Sequence, residues 1–153
     1  MESTSAEILE GISYQDLILK MGFPMSKSRG SKEKKPYHCI DVEILPPIKP
    51  SNVQIYWYNI GRYILTMEAI WTLHYDCPGF RLASPAEFLA ATIKLRPIGP
   101  TRICLFEIDT FGQGRSGFAA LTANENIQRT ASSFTCGDGF GRHCLFAVVP
   151  IGA

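Results

Sequence analysis

Apolar and polar positions change their period along this chain, and the changes mark its parts. In residues 5–21, Ile8, Leu9, Ile12, Leu17, Ile18 and Met21 recur at roughly helical spacing, which predicts an N-terminal amphipathic helix or two short ones. Ser13 with Asp16 is a second start signal, so a split falls near Gly11. Gly22 and Pro24 supply the stop. No apolar residue follows in 26–36, SKSRGSKEKKP, which reads as a linker. Ile40, Val42 and Ile44 then alternate with Cys39, Asp41 and Glu43, the pattern of a half-buried strand over 37–45, ended by Pro46, Pro47 and Pro50. Residues 53–60, VQIYWYNI, predict an aromatic strand closed by Gly61.

Residues 63–75 fit two periods. Tyr63, Leu65, Met67, Trp71 and Leu73 suit a strand, while Tyr63, Met67, Ile70, Trp71 and His74 suit a helix. The next stretch has clearer signals. Pro78-Gly79 marks a turn, Ser84 an N-cap, Pro85 the first helical position, and Glu87 completes a capping box. Phe88, Leu89, Thr92, Ile93 and Leu95 put an apolar stripe on the helix, which Arg96-Pro97 and Gly99-Pro100 end. Beyond it the spacing predicts strands at 101–110 and 117–122, a weak one at 127–134 and a last one at 142–149. That last strand is apolar on both faces and therefore central.

The piece Gly79, Arg81, Ala83, Ser84, Glu87, Leu89 and Ala90, with Leu145 to Val148, resembles an uncharacterised family of small bacterial proteins. Its members carry a G-x-R-x-A-(S/T)-x-x-E-(F/L)-L-A core and close on a FLAV-like strand. The resemblance covers about the last two-thirds of the chain, implies a helix from about Thr66, and brings no activity with it. The same piece is more loosely similar to a segment of formylglycine-generating-enzyme-like and C-type-lectin-like domains, whose Trp after the Glu this sequence lacks. The expected fold is α+β: a mostly antiparallel meander of five or six strands, with helices at 66–75 and 85–95 on one side. A helical appendage over 1–25 and the linker 26–36 would precede a single domain over 37–153.

Composition narrows the function. The chain has 153 residues, 46% apolar and 19% charged, enough for one ordinary core. Net charge is +1, so no global field favours nucleic acid or an anionic surface. Five scattered cysteines imply reduced thiols rather than a disulfide framework. With no secretory h-region and no apolar run of membrane-spanning length, a cytoplasmic protein away from the membrane is expected.

Charge is local instead. Lys27, Arg29, Lys32, Lys34 and Lys35 against Glu33 give the linker +4, which reads as a solvated connector or an arm for nucleic-acid phosphates. Arg81, Arg115 and Arg142 are candidates for an anion site, with Arg102 and Arg129 as further cations. His74 and Cys77, with Cys136 and His143, are the candidate zinc set, although Cys136 and Cys144 flank a loop longer than a usual knuckle. A nucleophilic pair of Cys136 with His74 or His143 is the cysteine-enzyme alternative. Gly112 to Gly117 matches G-x-G-x-x-G without a helix to follow, and Glu107 with Asp109 reads as a solvent-facing strand edge. Trp57, Tyr56, Tyr58 and Trp71 read as core and sheet face. No catalytic constellation emerges and no cofactor is implied. The leading expectation is a small non-enzymatic interaction or accessory domain that meets a protein partner through its N-terminal helix.

Overall fold

A computed structural model describes residues 1–21, 45–95, 97–109, 116–124 and 139–152. Its elements are β1 (Ser3–Ile8), α1 (Tyr14–Met21), β2 (Ser51–Asn59), β3 (Ile64–Leu65), α2 (Thr66–Asp76), β4 (Phe80–Leu82), α3 (Pro85–Thr92), β5 (Arg102–Asp109), β6 (Ser116–Ala123), β7 (Gly139–Phe140) and β8 (Leu145–Pro150). The expected strands at 37–45 and 127–134, the linker and the basic run lie outside the described residues, apart from Leu45.

The fold is α+β, built on a mixed six-stranded sheet with three helices among the described residues. The strand order is β1-β2-β8-β5-β6, with β4 also on β8. β8 is central, as its two apolar faces require. One of its edges pairs antiparallel with β2, Tyr56 opposite Val148. Its other edge is divided. Arg102 and Ile103 of β5 pair in parallel with Leu145 and Phe146, and then β4 takes over antiparallel, Leu82 opposite Val148 and Phe80 opposite Pro150. That parallel pairing is why the sheet is mixed and not a simple meander.

The expected N-terminal helix is a strand followed by a helix. Residues 3–8 alternate, with Ala6 and Ile8 buried and Ser3, Ser5 and Glu7 exposed, and they pair antiparallel with β2. The split near Gly11 is present. The Ser13 N–H donates to Asp16 Oδ2 at 3.2 Å and the Asp16 N–H to Ser13 Oγ at 3.1 Å, so a reciprocal cap starts α1. Leu17 and Ile18 of α1 are buried in the main core. Residues 3–21 are thus built into the core and are not an appendage. Buried Arg102 ties this segment down: its Nη2 donates to Glu2 Oε1 at 3.2 Å, and its guanidinium lies 4.9 Å from the Trp57 ring.

The helices cover both faces of the sheet, not one. Cys104, Phe106 and Ile108 of β5, with Ala147 and Val149 of β8, form one core with α1 and α3. Ile103, Leu105, Phe146 and Val148 face the other way and join Ala69 and Leu73 of α2 in a second core. Strands apolar on both sides need cover on both sides, since either face left wet would forgo about 25 cal/mol per Å².

The turn between α2 and β4 depends on Gly79, whose φ of +83° lies in the left-handed region. A Cβ there would meet nothing within 4 Å, so only the backbone opposes substitution. Gly79→Ala is expected to cost about 1 kcal/mol in urea unfolding, and an unchanged midpoint would contradict this account of the turn.

Candidate functional site

A concave apolar surface lies on the α2 side of the sheet. Ala69 and Leu73 anchor α2, and the Cys77 N–H donates to the Leu73 carbonyl at 2.9 Å to end it. The Tyr58 hydroxyl donates to Asp76 Oδ2 at 2.8 Å, fixing the C-terminal end of the helix to β2. That hydrogen bond, with some burial and the Asp76 charge, pushes the phenol up to about 12. The chain then turns at Pro78-Gly79 and returns as β4. Phe80 and Leu82 face α2, and Arg81, opposite Val149, faces α3.

Between them lies a groove of about 710 Å³, walled by Trp71 and His74 of α2, Phe80 and Leu82 of β4, Phe118 of β6 and Val148 of β8. Its rim is unusual for a small domain. Trp71 is 69% exposed and Tyr75, one turn on, is 86% exposed. Trp71 therefore departs from its expected place in the core, whereas Trp57 is buried against Phe88. A smaller cavity of about 280 Å³ opens where β4 and β5 part, lined by Ser84, Pro85, Leu105 and Glu107 among others. Arg81, Leu82 and Phe118 line both cavities, so the two adjoin.

Arg81 is the polar residue at that junction. Its Nη1 donates to Glu87 Oε1 and its Nη2 to Glu87 Oε2, each at 2.9 Å, and Nη1 also reaches the Leu82 carbonyl at 3.1 Å. Glu87 is buried and accepts two further bonds, from the Ser84 N–H at 2.9 Å and the Ser51 hydroxyl at 3.2 Å. With the Ser84 hydroxyl accepting from the Glu87 N–H, the capping box is complete. Burial alone would push the Glu87 carboxyl up. The Arg81 guanidinium, the Ser84 N–H and the Ser51 hydroxyl outweigh it and hold the carboxyl below the usual carboxylate range. This one carboxylate joins β4, the start of α3 and the start of β2.

Among the described residues, the other expected site residues stand apart from Arg81 or line the groove without joining it. Arg142 is exposed in the turn before β8, where its Nε donates to His143 Nε2 at 3.2 Å and its carbonyl accepts from Asn59. Arg81 pairs with Val149, and Leu145 to Val149 alone spans roughly 13 Å at a strand's rise. Arg115 lies outside the described residues. Of the candidate zinc set, His74 lines the groove and Cys77 is buried at the end of α2. His143 stands beyond the far end of β8 from Cys77, and Cys136 lies outside the described residues. Among the described residues no three His, Cys, Asp or Glu side chains form a group able to hold a metal. Burial pushes the thiols of Cys77, Cys104 and Cys144 up, and the Asp76 charge adds to this at Cys77 and the Glu87 charge at Cys104, which favours inert thiols over thiolates. Gly117 is already within strand β6, so the glycine-rich run leads into a strand and not into the helix a dinucleotide site needs. Glu107 is exposed on β5, and Lys27, Arg29, Lys32, Lys34 and Lys35 lie outside the described residues.

No family model, curated protein or solved structure matches this chain. Among the described residues no helix is long and apolar enough to cross a membrane.

Proposed function

We propose that this protein is a small non-enzymatic binding domain and that the groove beside α2 holds its ligand. The observation that carries this reading is the groove itself: about 710 Å³, walled by Phe80, Leu82, Phe118 and Val148, with Trp71 exposed at the rim. Its volume falls within the range of about 300–1,000 Å³ typical of small-molecule sites, and its lining has their character of apolar walls with few polar groups. Solvent-exposed Trp is otherwise disfavoured, because its indole forgoes a large burial energy. The proposal puts recognition on α2 rather than on the N-terminal segment, because Ala6, Ile8, Leu17 and Ile18 of that segment are buried in the core.

Titration with a neutral apolar dye such as Nile red tests the reading. Saturable one-to-one binding is expected, reduced at least tenfold by Trp71→Ala. The same variant is expected to unfold within about 0.5 kcal/mol of the wild type, because an exposed side chain contributes little to stability. Absence of saturable binding would contradict the proposal, as would Trp71→Ala binding the dye unchanged.

A further inference from the structure

The ligand class follows from what Arg81 has left to give, and it rests on the groove being the binding site. A guanidinium carries five N–H donors in a planar fork. In Arg81 the end-on pair, one hydrogen each on Nη1 and Nη2, goes to the two oxygens of Glu87. The second Nη1 hydrogen goes to the Leu82 carbonyl. Nε–H and the outer Nη2–H have no partner among the described residues. They project on the same side of the guanidinium, parallel, at the spacing of the two oxygens of a carboxylate. Glu87 holds the plane in place, so this second fork is pre-oriented at little entropic cost. The Arg81 side chain is 42% exposed, so the fork is open to a ligand.

Arg81, Leu82 and Phe118 line both the apolar groove and the smaller cavity, so Arg81 adjoins the groove although its guanidinium is held toward α3 by Glu87. The other ionisable side chains on the two cavities are Glu107, exposed on β5, Asp76, engaged by the Tyr58 hydroxyl, and His74. None of them is a second buried anion competing for the fork. We infer that the site takes a small amphipathic carboxylate, with its apolar body along Phe80, Leu82, Phe118 and Trp71 and its carboxylate on the Nε and Nη2 donors of Arg81. Arg81 then serves two carboxylates at once, Glu87 as the structural partner and the ligand as the exchangeable one.

Octanoate and octan-1-ol, which share a chain and differ in the head group, separate this inference from the groove reading. Binding would be measured by calorimetry at pH 7. Octanoate is expected to bind about tenfold more tightly than octan-1-ol. Arg81→Gln should erase that preference, bringing octanoate to the affinity of octan-1-ol. Because Arg81→Gln also breaks the link to Glu87, Glu87→Gln is the second variant, with folding of both verified by thermal melting. It keeps Arg81 but removes the anchor that orients the fork, so octanoate affinity should fall several-fold while octanol affinity changes less; unchanged octanoate affinity would contradict the orienting role of Glu87. Equal affinity of the wild type for both probes would overturn the carboxylate assignment and leave the groove standing. Binding of neither probe would contradict the groove itself, and the assignment with it. A preference that survives Arg81→Gln would place the head group elsewhere and overturn the role of Arg81.

Discussion

Replacing Phe88 by alanine is expected to cost about 3–5 kcal/mol, the range for emptying a buried aromatic site. Phe88 is fully buried, and its ring meets that of Trp57 edge to face at 6.0 Å between centroids. It lies at the centre of the core that joins α1, α3, β1 and β2. All eight residues of α3 are buried, so the helix is enclosed on every side and has no wet face toward which its neighbours could relax. A cavity there stays open, and the loss adds to the transfer energy of the ring. Against a total stability of about 5–15 kcal/mol this is a large share. Urea unfolding followed by Trp fluorescence would measure it, and a loss under 1 kcal/mol would mean that α3 is not packed in this way.

Glu87→Gln is expected to cost about 2–3 kcal/mol at pH 7. Breaking a buried ion pair typically costs about 3–5 kcal/mol, but Arg81 is 42% exposed and recovers some hydration, and glutamine retains part of the cap. The pH dependence gives the sharper test. Glu87 titrates below its unfolded value, near about 4.3 for a free glutamate. Its contribution is therefore present in full above that value and is lost as pH falls through the lower folded value. Wild type and variant should differ most near neutrality and converge as the medium becomes more acid than about pH 4. A difference that stays constant from pH 7 to pH 3 would show that Glu87 acts through shape and not through its charge.

The local signals in the sequence were strong where one turn of chain decides the outcome. Ser84, Pro85 and Glu87 specify the start of α3 by themselves, and its capping box is present in full. Ser13 and Asp16 likewise mark the start of α1. The α+β class and the central last strand were legible too, whereas residues 63–75 fitted two periods and the pattern left the helix at Thr66 open. Non-local choices were not. Ser3, Thr4, Ser5 and Ala6 are small residues with little hydrophobic contrast, so the alternation of β1 was masked by Ile8, Leu9 and Ile12 at helical spacing. The parallel pairing of Arg102 and Ile103 with Leu145 and Phe146 depends on which strands meet, which no local period encodes. Two-sided apolar strands announce that both faces need cover, yet they do not say which helix goes to which face.

Of the groove's lining, Arg81 and His74 are candidates the sequence offers, the one as an anion-site cation and the other as a zinc ligand. Capping accounts for Ser84 and Glu87 from sequence alone, but it does not say what Arg81 meets. Its bond to Glu87 six residues on needs β4 to lie against the start of α3, a tertiary arrangement. The groove itself was not legible. Trp71 has the same residue type and a similar context to the buried Trp57, and only the packing of Ala69 and Leu73 against the sheet turns it outward. Phe118 reaches the groove through the β5–β6 hairpin, far from α2 in sequence.

Chemical-shift mapping of the ¹⁵N-labelled protein during octanoate titration tests the account most directly. The account predicts saturable shifts at Ile70 to Tyr75, Phe80 to Leu82 and Phe118, with the guanidinium Nε of Arg81 among them. Shifts confined to another surface, such as the cavity between Gly11 to Tyr14 and Leu45 to Pro50, or no saturable shift at α2 and β4, would contradict it.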